Sequence, residues 1–298
     1  GDGLFPGYNR YLLADGLWRR LEAVPLPLRR GLSRAVLAAR PGAWDSAAAL
    51  LGKLLPPLRR HGAVGDKVHK FAASVLGAAS RSEMYRALTS HWTEPARIVP
   101  GAVEPRSVLD ELPMEGSRLS PIEHMCLLDQ LTYLPDDILA KVDRAAMSAG
   151  LETRVPLLDH RLVEFAWRLP MHQKIRDGST KWLLRQALYQ DVPRALIERP
   201  KQGFGVPLEQ WLRGPLRDWA EALLDPARLT REGWFDAALL RDRWSQHLRG
   251  ERNWQFHLWD ALMFQAWLDA QQADLAAVSF AADPVPRPPE TVAKDVVS

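Results

Sequence analysis

Two short glycine-containing segments, far apart in the chain, carry residues that could act on the phosphates of a nucleotide. They are GDGLFPGY at residues 1–8 and KQGFG at residues 201–205. Cleavage of a phosphoanhydride needs a divalent cation held by carboxylates, and cationic groups that stabilise the charge developing on the phosphates. Asp2 could approach a metal-bound pyrophosphate because glycines let the backbone come near a ligand. Lys201 could close over the phosphates as a compact positive charge.

Two further polar segments lie between these two. LPDDIL at 134–139 runs on to KVDR at 141–144, and LETRVPLLDH at 151–160 is followed by KWLLR at 181–185. The segment at 151–160 contains Glu152, Arg154 and Asp159. We interpret this trio as structural, with Arg154 pairing with a carboxylate to brace the wall of a pocket, because a charge that leaves water needs a partner.

In this order and spacing, the segments resemble the synthetase domain of the glutamine-hydrolysing asparagine synthetases over about residues 1–270. The resemblance implies an ATP pyrophosphatase that activates a side-chain carboxylate, that of aspartate in this family, as an acyl-adenylate, which ammonia then attacks. ATP and Mg²⁺ are the implied cofactors. By the same resemblance, Asp2 would hold magnesium and pyrophosphate, and Lys201 would stabilise the departing pyrophosphate. Gly203 and Gly205 would belong to the pyrophosphate-binding loop.

The first segment departs from the family's GDELFGGY pattern at two positions, where Gly3 replaces a glutamate and Pro6 replaces a glycine. Proline fixes φ and removes a hydrogen-bond donor, and the lost carboxylate weakens any metal-binding or ammonia-handling role of the loop. The family's SGGxDS pyrophosphate loop and its N-terminal cysteine amidotransferase domain are not in this sequence. We therefore expect the isolated chain to be inactive. Its expected partners are an upstream half, an N-terminal glutaminase domain and small-molecule substrates.

Two alternatives to asparagine synthesis stay open. Relatives of this family close β-lactam rings, cyclise peptides or amidate cell-surface polymers, and nothing in the sequence defines an aspartate pocket. The chain could instead be a degenerate, non-catalytic helical interaction module, for which Gly3 and Pro6 are the best argument.

Composition narrows the remaining classes of protein. The 39 basic and 36 acidic residues leave a net charge of +3, which is too small to indicate a nucleic-acid partner. Apolar stretches are broken by Arg, Asp or Pro before the ~18 residues that a membrane span needs. The only cysteine, Cys126, lies among apolar helical neighbours and is predicted to be a buried structural thiol. A chain without a possible internal disulfide fits a cytoplasmic location.

Helices must position these segments, because apolar residues recur at three-to-four spacing and no sustained β-alternation occurs. We predict a mainly α chain with few strands. The resemblance makes it the helical C-terminal part of an adenine-nucleotide α-hydrolase-like (ATP-pyrophosphatase) α/β domain whose sheet-bearing start is missing. We divide this truncated domain, residues 1–277, into a helical array (1–97), a join (98–118) and a motif-bearing region (119–277), followed by a disordered tail (278–298).

Three structural predictions follow from this pattern. Helices within 119–149 and 159–169 should pack near the start of the chain, because Asp2 and Lys201 must converge on one pyrophosphate. Asp136 and Asp137 should form the first turn of a helix that follows Pro135. A buried face of the last helix should be marked by Trp259, Leu262, Phe264 and Trp267.

Overall fold

The computed structural model describes residues 1–40, 42–47, 64–198 and 205–281. These residues are mostly helical, and the two strands among them form one short hairpin, so the predicted mainly α class with few strands is confirmed. Contacts divide the chain into two compact units, one of residues 1–97 and 101–206 and the other of residues 98–100 and 207–298. None of the helices in the described ranges is both long enough and apolar enough to cross a membrane.

The elements described before residue 199 are mostly short helices. The α-helices are α1 (Asn9–Leu21), α2 (Leu26–Ala38), α3 (Val64–Phe71), α4 (Arg81–Thr89), α5 (Pro95–Ile98), α6 (Val108–Glu111), α7 (Pro121–Leu131), α8 (Ala140–Ser148), α9 (His160–Arg168), α10 (Met171–Lys174), α11 (Trp182–Leu188) and α12 (Arg194–Ile197). Two π-helical turns and one 3₁₀ turn occur at Ala72–Leu76, Leu134–Leu139 and Pro156–Leu158. Strands β1 (Ile175–Arg176) and β2 (Ser179–Thr180) pair antiparallel, with Ile175 opposite Thr180.

Side-chain caps fix where α7 and α9 begin. At the start of α7, Ser120 and Glu123 form a capping box, and Pro121 occupies the first turn, where its missing N–H costs nothing. At the start of α9, the Asp159 carboxylate accepts a hydrogen bond of 2.9 Å from the Arg161 backbone N–H. These caps place the motif-bearing helices at defined positions in the sequence.

The start of the chain packs against α7 and α9. In the main core of the first unit, Tyr11 and Trp18 of α1 meet Met125 and Leu128 of α7, all at least 92% buried. In a second, smaller cluster, residues of the segment before α1 meet α9 and α11. Its buried members are Leu4, Phe5 and Ala166, and Val163, Trp167, Leu169, Leu183 and Leu184 pack on them. The predicted packing of these two helices near the chain start is confirmed.

The helical pattern around Pro135 is interrupted at Thr132, three residues before the proline. Asp136 and Asp137 lie in the π-helical turn Leu134–Leu139, and α8 begins only at Ala140. Thr132, with φ of −127° and ψ of −77°, ends α7, and the chain is helical again from Tyr133. A π turn accommodates the missing N–H of proline by widening the helix locally. Asp136 and Asp137 therefore lie in the first turn of the helical element that follows the break, which confirms the predicted position of the two acids, although the element begins at Leu134 rather than after Pro135.

The helices described in the second unit enclose buried residues of their own. Its helices are α13 (Leu208–Arg213), α14 (Arg217–Leu223), α15 (Pro226–Glu232), α16 (Ala237–Leu248) and α17 (Gln255–Ala281). The α17 helix continues past residue 278, the predicted start of the disordered tail, and residues 282–298 lie outside the described part of the chain. Asp225 and Asp236 cap α15 and α16 through hydrogen bonds of 2.8 Å.

The buried face of α17 is only partly the predicted one. Leu262 is fully buried, but the Trp267 side chain is 55% exposed. The buried residues are Leu258, Ala261, Leu262 and Gln265. Their spacing of three and four keeps them on one stripe of the helix, whereas Trp267, five residues after Leu262, lies on another side. The prediction for Trp267 is wrong.

Candidate functional site

The segment before α1 forms a compact turn. The Phe5 N–H donates to the Gly1 carbonyl oxygen and the Gly7 N–H donates to the Asp2 carbonyl oxygen, each at 2.9 Å. Leu4 and Phe5 are 5% and 4% exposed and anchor the turn in the core cluster with α9. The turn, called here the Asp2 loop (residues 1–8), therefore holds the Asp2 backbone on a packed base.

Asp2 forms an ion pair with a lysine far along the chain. The Lys181 Nζ atom lies 2.8 Å from the Asp2 Oδ1 atom, and the two side chains are 33% and 31% exposed. Lys181 precedes α11 and has a left-handed backbone, with φ of 55° and ψ of 31°. This conformation is unfavourable for a residue with a Cβ, so the hairpin and α11 must hold it in place.

Gly7 is the residue that allows this pair to form. A Cβ atom at position 7 would lie 2.1 Å from the Asp2 Oδ1 atom and 2.2 Å from the Lys181 Cε atom. Both distances are far below van der Waals contact, so any side chain at position 7 would separate the carboxylate from the ammonium. The glycine pattern of the loop thus has a steric function at this position.

The pairing of Lys181 with Asp2 was not predicted from the sequence. Lys181 was recognised only as part of the KWLLR segment, without a role. One available signal was composition, because only eight of the 39 basic residues are lysines. Composition could not indicate that the hairpin would turn this lysine toward residue 2.

The predicted trio at 152–159 is exposed rather than buried. Arg154 pairs with Glu152 at 2.8 Å, and the two side chains are 82% and 68% exposed. Asp159 pairs with Arg161 at 2.7 Å, and this hydrogen-bonded guanidinium lowers the pKa of Asp159 below its ordinary value. Arg154 thus has the carboxylate partner that we expected, but the pair is solvated. Its role in bracing a pocket stays a prediction.

The same segment lines an open cleft of about 770 Å³ that includes Arg154, Asp159 and Arg161. The 3₁₀ turn inside it touches the Asp2 loop, because a Cβ at Gly1 would lie 2.8 Å from Leu157 Cδ1. The structure therefore brings the 151–160 segment beside Asp2. The carboxylates and guanidinium of the trio pair within their own segment and with Arg161.

Lys201 and Gly203 lie outside the described residues, so the predicted convergence of Lys201 with Asp2 stays a prediction. Gly205 is described and exposed, and a Cβ at this position would meet no atom within 4 Å. The backbone at Gly205 is consequently accessible to a ligand.

A buried carboxylate that sequence reasoning missed lies under the Asp2 loop. Asp129 of α7 is 2% exposed and accepts hydrogen bonds from Arg10 and Tyr11 of α1 and from Tyr85 of α4. Burial is the largest cause that raises the pKa values of both tyrosines far above their ordinary range, so both stay protonated donors. This Asp129 cluster (Arg10, Tyr11, Tyr85 and Asp129) ties three helices together.

Aromatic rings complete the surroundings of Arg10. Its guanidinium carbon lies 4.5 Å from the ring centre of Tyr8 and 4.7 Å from that of Tyr133, which favours a cation–π interaction with each ring. Burial raises the pKa of Tyr8 to about 12. The cluster therefore reaches the last residue of the Asp2 loop.

Cys126, one turn before Asp129 on α7, is 4% exposed and packs in the main core. Burial raises the pKa of its thiol to about 12. A thiol in this state is neither a nucleophile nor a metal ligand near neutral pH. The prediction of a buried structural thiol is confirmed.

Asp2 is the residue predicted to bind Mg²⁺, so its surroundings decide whether a metal ion fits. Among the described residues, no group of three or more His, Cys, Asp or Glu side chains could hold a metal ion. Mg²⁺ commonly binds through one or two carboxylates and completes its shell with water and substrate phosphates. A single half-buried carboxylate fits that mode of binding, in which the nucleotide brings the ion.

The Asp2 loop presents one carboxylate, which pairs with Lys181 from the segment before α11. This combination is suited to an anionic, metal-bound ligand, and comparison with known proteins gives the class of protein. The sequence model of the asparagine synthase family matches residues 1–269. The chain belongs to this family, as the resemblance predicted.

Three relatives show the extent of the likeness. A Mycobacterium tuberculosis protein, provisionally named a glutamine-hydrolyzing asparagine synthetase, is 32% identical over 267 residues, which are 89% of this chain and 37% of that protein. Asparagine synthetase [glutamine-hydrolyzing] 1 of Bacillus subtilis is 32% identical over 51% of this chain and 24% of its own length. The rat asparagine synthetase [glutamine-hydrolyzing] is 30% identical over 48% of this chain and 27% of its own length.

The chain thus spans well under half the length of the curated relatives that it matches. No solved structure matches the chain significantly.

Proposed function

We propose that the full-length protein forms an amide at the expense of ATP. A carboxylate, that of aspartate in the first instance, attacks the α-phosphorus of ATP to give an acyl-adenylate and pyrophosphate. Ammonia released from glutamine by a partner domain then attacks the acyl carbon and displaces AMP. This places the protein among carbon–nitrogen ligases of the asparagine synthase type, acting in the cytoplasm. The chain would be the helical part of an adenine-nucleotide α-hydrolase-like domain.

The observation that carries the proposal is the Asp2–Lys181 pair on a glycine-lined loop. Both side chains are about one-third exposed, and an ion pair at that exposure contributes about 0–1 kcal/mol. Replacing it by contacts to a ligand therefore costs little. Asp2 would hold Mg²⁺ carried by the phosphates, and Lys181 would contact a phosphate oxygen. Asp2 and Lys181 would thereby stabilise the pyrophosphate as it leaves.

The remaining roles follow the family resemblance. Lys201 would stabilise the negative charge on the departing pyrophosphate, and Gly203 and Gly205 would let the backbone approach it. Arg154, Glu152 and Asp159 would brace the cleft beside the Asp2 loop. A magnesium ion held by Asp2 would act as a Lewis acid toward the phosphate oxygens, as in phosphoryl transfer generally.

The first test is Lys201→Ala in the full-length protein. Pyrophosphate release is measured with ammonia as the nitrogen source, which bypasses any glutaminase domain. Loss of one group that stabilises developing charge costs on the order of 10²–10³ in rate, and Lys201→Arg should rescue poorly because a planar guanidinium does not replace a compact ammonium. The matched control is Lys70→Ala, which removes an exposed lysine of α3. If Lys201→Ala keeps more than about half of the rate, Lys201 has no catalytic role.

The acceptor and the activity itself are tested together. Adenylate formation is assayed with aspartate and with other carboxylates, and the carboxylate that supports pyrophosphate release identifies the acceptor. Release with a carboxylate other than aspartate would make the protein a related amidotransferase or cyclase. Release with none would favour a degenerate interaction module, for which Gly3 and Pro6 are the supporting observation.

A further inference from the structure

We propose that Gln130 is the positioning residue of the Asp2 loop: its side-chain amide fixes Gly3, and through Gly3 the placement of Asp2. The inference rests on the proposed function for its catalytic consequence, but its structural part can be tested separately. Gln130 is the residue that follows Asp129 at the end of α7.

The two ends of the Gln130 amide contact three different elements. The Nε2 atom donates to the Gly3 carbonyl oxygen at 3.0 Å and to the Cys126 carbonyl oxygen at 3.1 Å. The Oε1 atom accepts from the Trp167 indole N–H at 3.2 Å. One side chain therefore joins the Asp2 loop, α7 and α9, and only an amide has both the two donors and the acceptor that these contacts require.

Gly3 fits this arrangement sterically. A Cβ atom at position 3 would lie 3.2 Å from the Gln130 Cγ atom and 3.9 Å from the Cys126 carbonyl oxygen. The shorter distance is tighter than an ordinary contact, so a Cβ at position 3 would require the Gln130 side chain to shift by a few tenths of an ångström. Gly3, which departs from the family's glutamate, and Gln130 are thus complementary partners.

Besides the buried side chains of Leu4 and Phe5, polar contacts from Asp129 and Gln130 restrain the loop at two points. Asp129 holds α1 through Arg10 and Tyr11, and α1 begins directly after the loop. Gln130 holds Gly3, which is adjacent to Asp2. Asp2 is adjacent to Gly3 and precedes it, so the anchoring of α1 does not hold Asp2 directly. Loss of the contact between Gln130 and Gly3 should therefore loosen Asp2 while α1 remains anchored.

The structural arm of the test uses the full 298-residue chain and amide hydrogen exchange. Gln130→Leu keeps the side-chain volume and removes the hydrogen bonds. We expect hydrogen exchange of the Phe5 and Gly7 amides to become about tenfold faster. Loss of one hydrogen bond raises the equilibrium constant for local opening of the loop by about that factor. Gln130→Glu, which keeps an acceptor for Trp167 but turns oxygens toward two carbonyl groups, should have at least as large an effect.

The matched control is Gln271→Leu, which changes an exposed glutamine of α17. Gly3→Ala is the second variant, because it disturbs the same contact from the loop side without removing the amide. The proposal is overturned if loop exchange is unchanged in Gln130→Leu, or if exchange accelerates equally throughout both compact units, which would indicate general destabilisation.

The catalytic arm uses the full-length protein and pyrophosphate release. If Gln130 positions Asp2, Gln130→Leu should lower kcat about tenfold, raise the Mg²⁺ concentration needed for half-maximal rate, and change the KM for the carboxylate substrate little. A change in KM alone would overturn the positioning role. A wild-type protein that releases no pyrophosphate would contradict the proposed function, while the exchange experiment would still decide whether Gln130 holds the loop.

Discussion

The Asp129 cluster and the segment at 151–160 both contain carboxylate and guanidinium groups. The carboxylate of the cluster is buried, whereas the Glu152–Arg154 pair of the segment is exposed. Asp129 is 2% exposed and accepts from three side chains on two other helices. The Glu152–Arg154 pair lies two residues apart in sequence and is more than two-thirds exposed. The first group joins distant elements, whereas the second connects only neighbours in its own turn.

This difference shows that a recognisable charged motif and a strongly interacting charged group need not coincide. An exposed pair gains little because water screens it and competes for its hydrogen bonds. A buried carboxylate must be satisfied by several donors, and removing any of them leaves a costly unpaired group. We therefore expect the stability of the first unit to depend on Asp129, and the 151–160 segment to matter mainly for the adjacent cleft.

The largest expected effect is that of Asp129→Ala. Removing one partner of a buried ion pair typically costs about 3–5 kcal/mol, here because Arg10 would be left without its carboxylate. Urea unfolding of the chain, followed by circular dichroism, measures the loss. Asp159→Ala is the comparison, since Asp159 caps α9 from an exposed position. A larger shift of the unfolding midpoint in Asp159→Ala than in Asp129→Ala would contradict the greater contribution of the buried carboxylate to stability.

Tyr85→Phe should have a smaller effect. It removes a hydrogen bond to a buried charged group, for which about 1.5–3 kcal/mol is typical, and leaves the ring packing unchanged. Tyr11→Phe tests the second donor to the same carboxylate. Because both hydroxyls share Asp129, the double variant should differ from the sum of the single ones, as double-mutant cycles measured by urea unfolding would show. Strict additivity would mean that the two tyrosines do not act as one cluster.

The Cys126 thiol gives a pH-dependent test of the same core. Its pKa is about 12 in the folded protein and 9.0 without the fold. Between pH 9 and pH 12 the thiol of the unfolded chain has lost its proton, whereas the thiol of the folded chain retains it. The contribution of Cys126 to the free energy of unfolding is therefore complete below pH 9 and is lost as the pH rises toward 12. Labelling with a thiol reagent at pH 8 should be slow until urea unfolds the chain. Fast labelling of the native chain would contradict the buried environment.

The smallest expected effect on stability is that of Arg154→Ala. Substitutions at exposed positions usually change the free energy of unfolding by less than about 0.5 kcal/mol. If Arg154 braces the cleft in the full-length protein, pyrophosphate release should fall although the unfolding midpoint stays the same. An unchanged rate would remove Arg154 from the site, whereas a large change in the midpoint would make the segment resemble the Asp129 cluster.

The sequence was informative where a local pattern fixes the outcome. Helical periodicity predicted the mainly α chain, and the apolar neighbours of Cys126 predicted its burial. The order of the motifs predicted the family. It also predicted that α7 and α9 pack near the chain start, because Asp2 and Lys201 were expected to converge on one pyrophosphate.

The sequence was uninformative where the outcome depends on tertiary contacts. Asp129 sits among apolar residues in the sequence, and nothing local shows that Arg10, Tyr11 and Tyr85 surround it. The direction of Lys181 depends on a left-handed backbone that only the preceding hairpin imposes. Trp267 was assigned to the buried face from its residue type, although its spacing from Leu262 places it elsewhere on α17.

The close packing of Asp2 and Lys181 against Gly7 has a consequence for natural variation. Selection can tolerate many exchanges around the loop, but a methyl group at position 7 would collide with both charged partners at once. Related proteins that depend on the Asp2–Lys181 pair should therefore keep glycine at position 7. Related proteins that have lost the pair can carry a larger residue there. The identity of this one residue in related genes would then record which descendants kept the site and which retained only the helices.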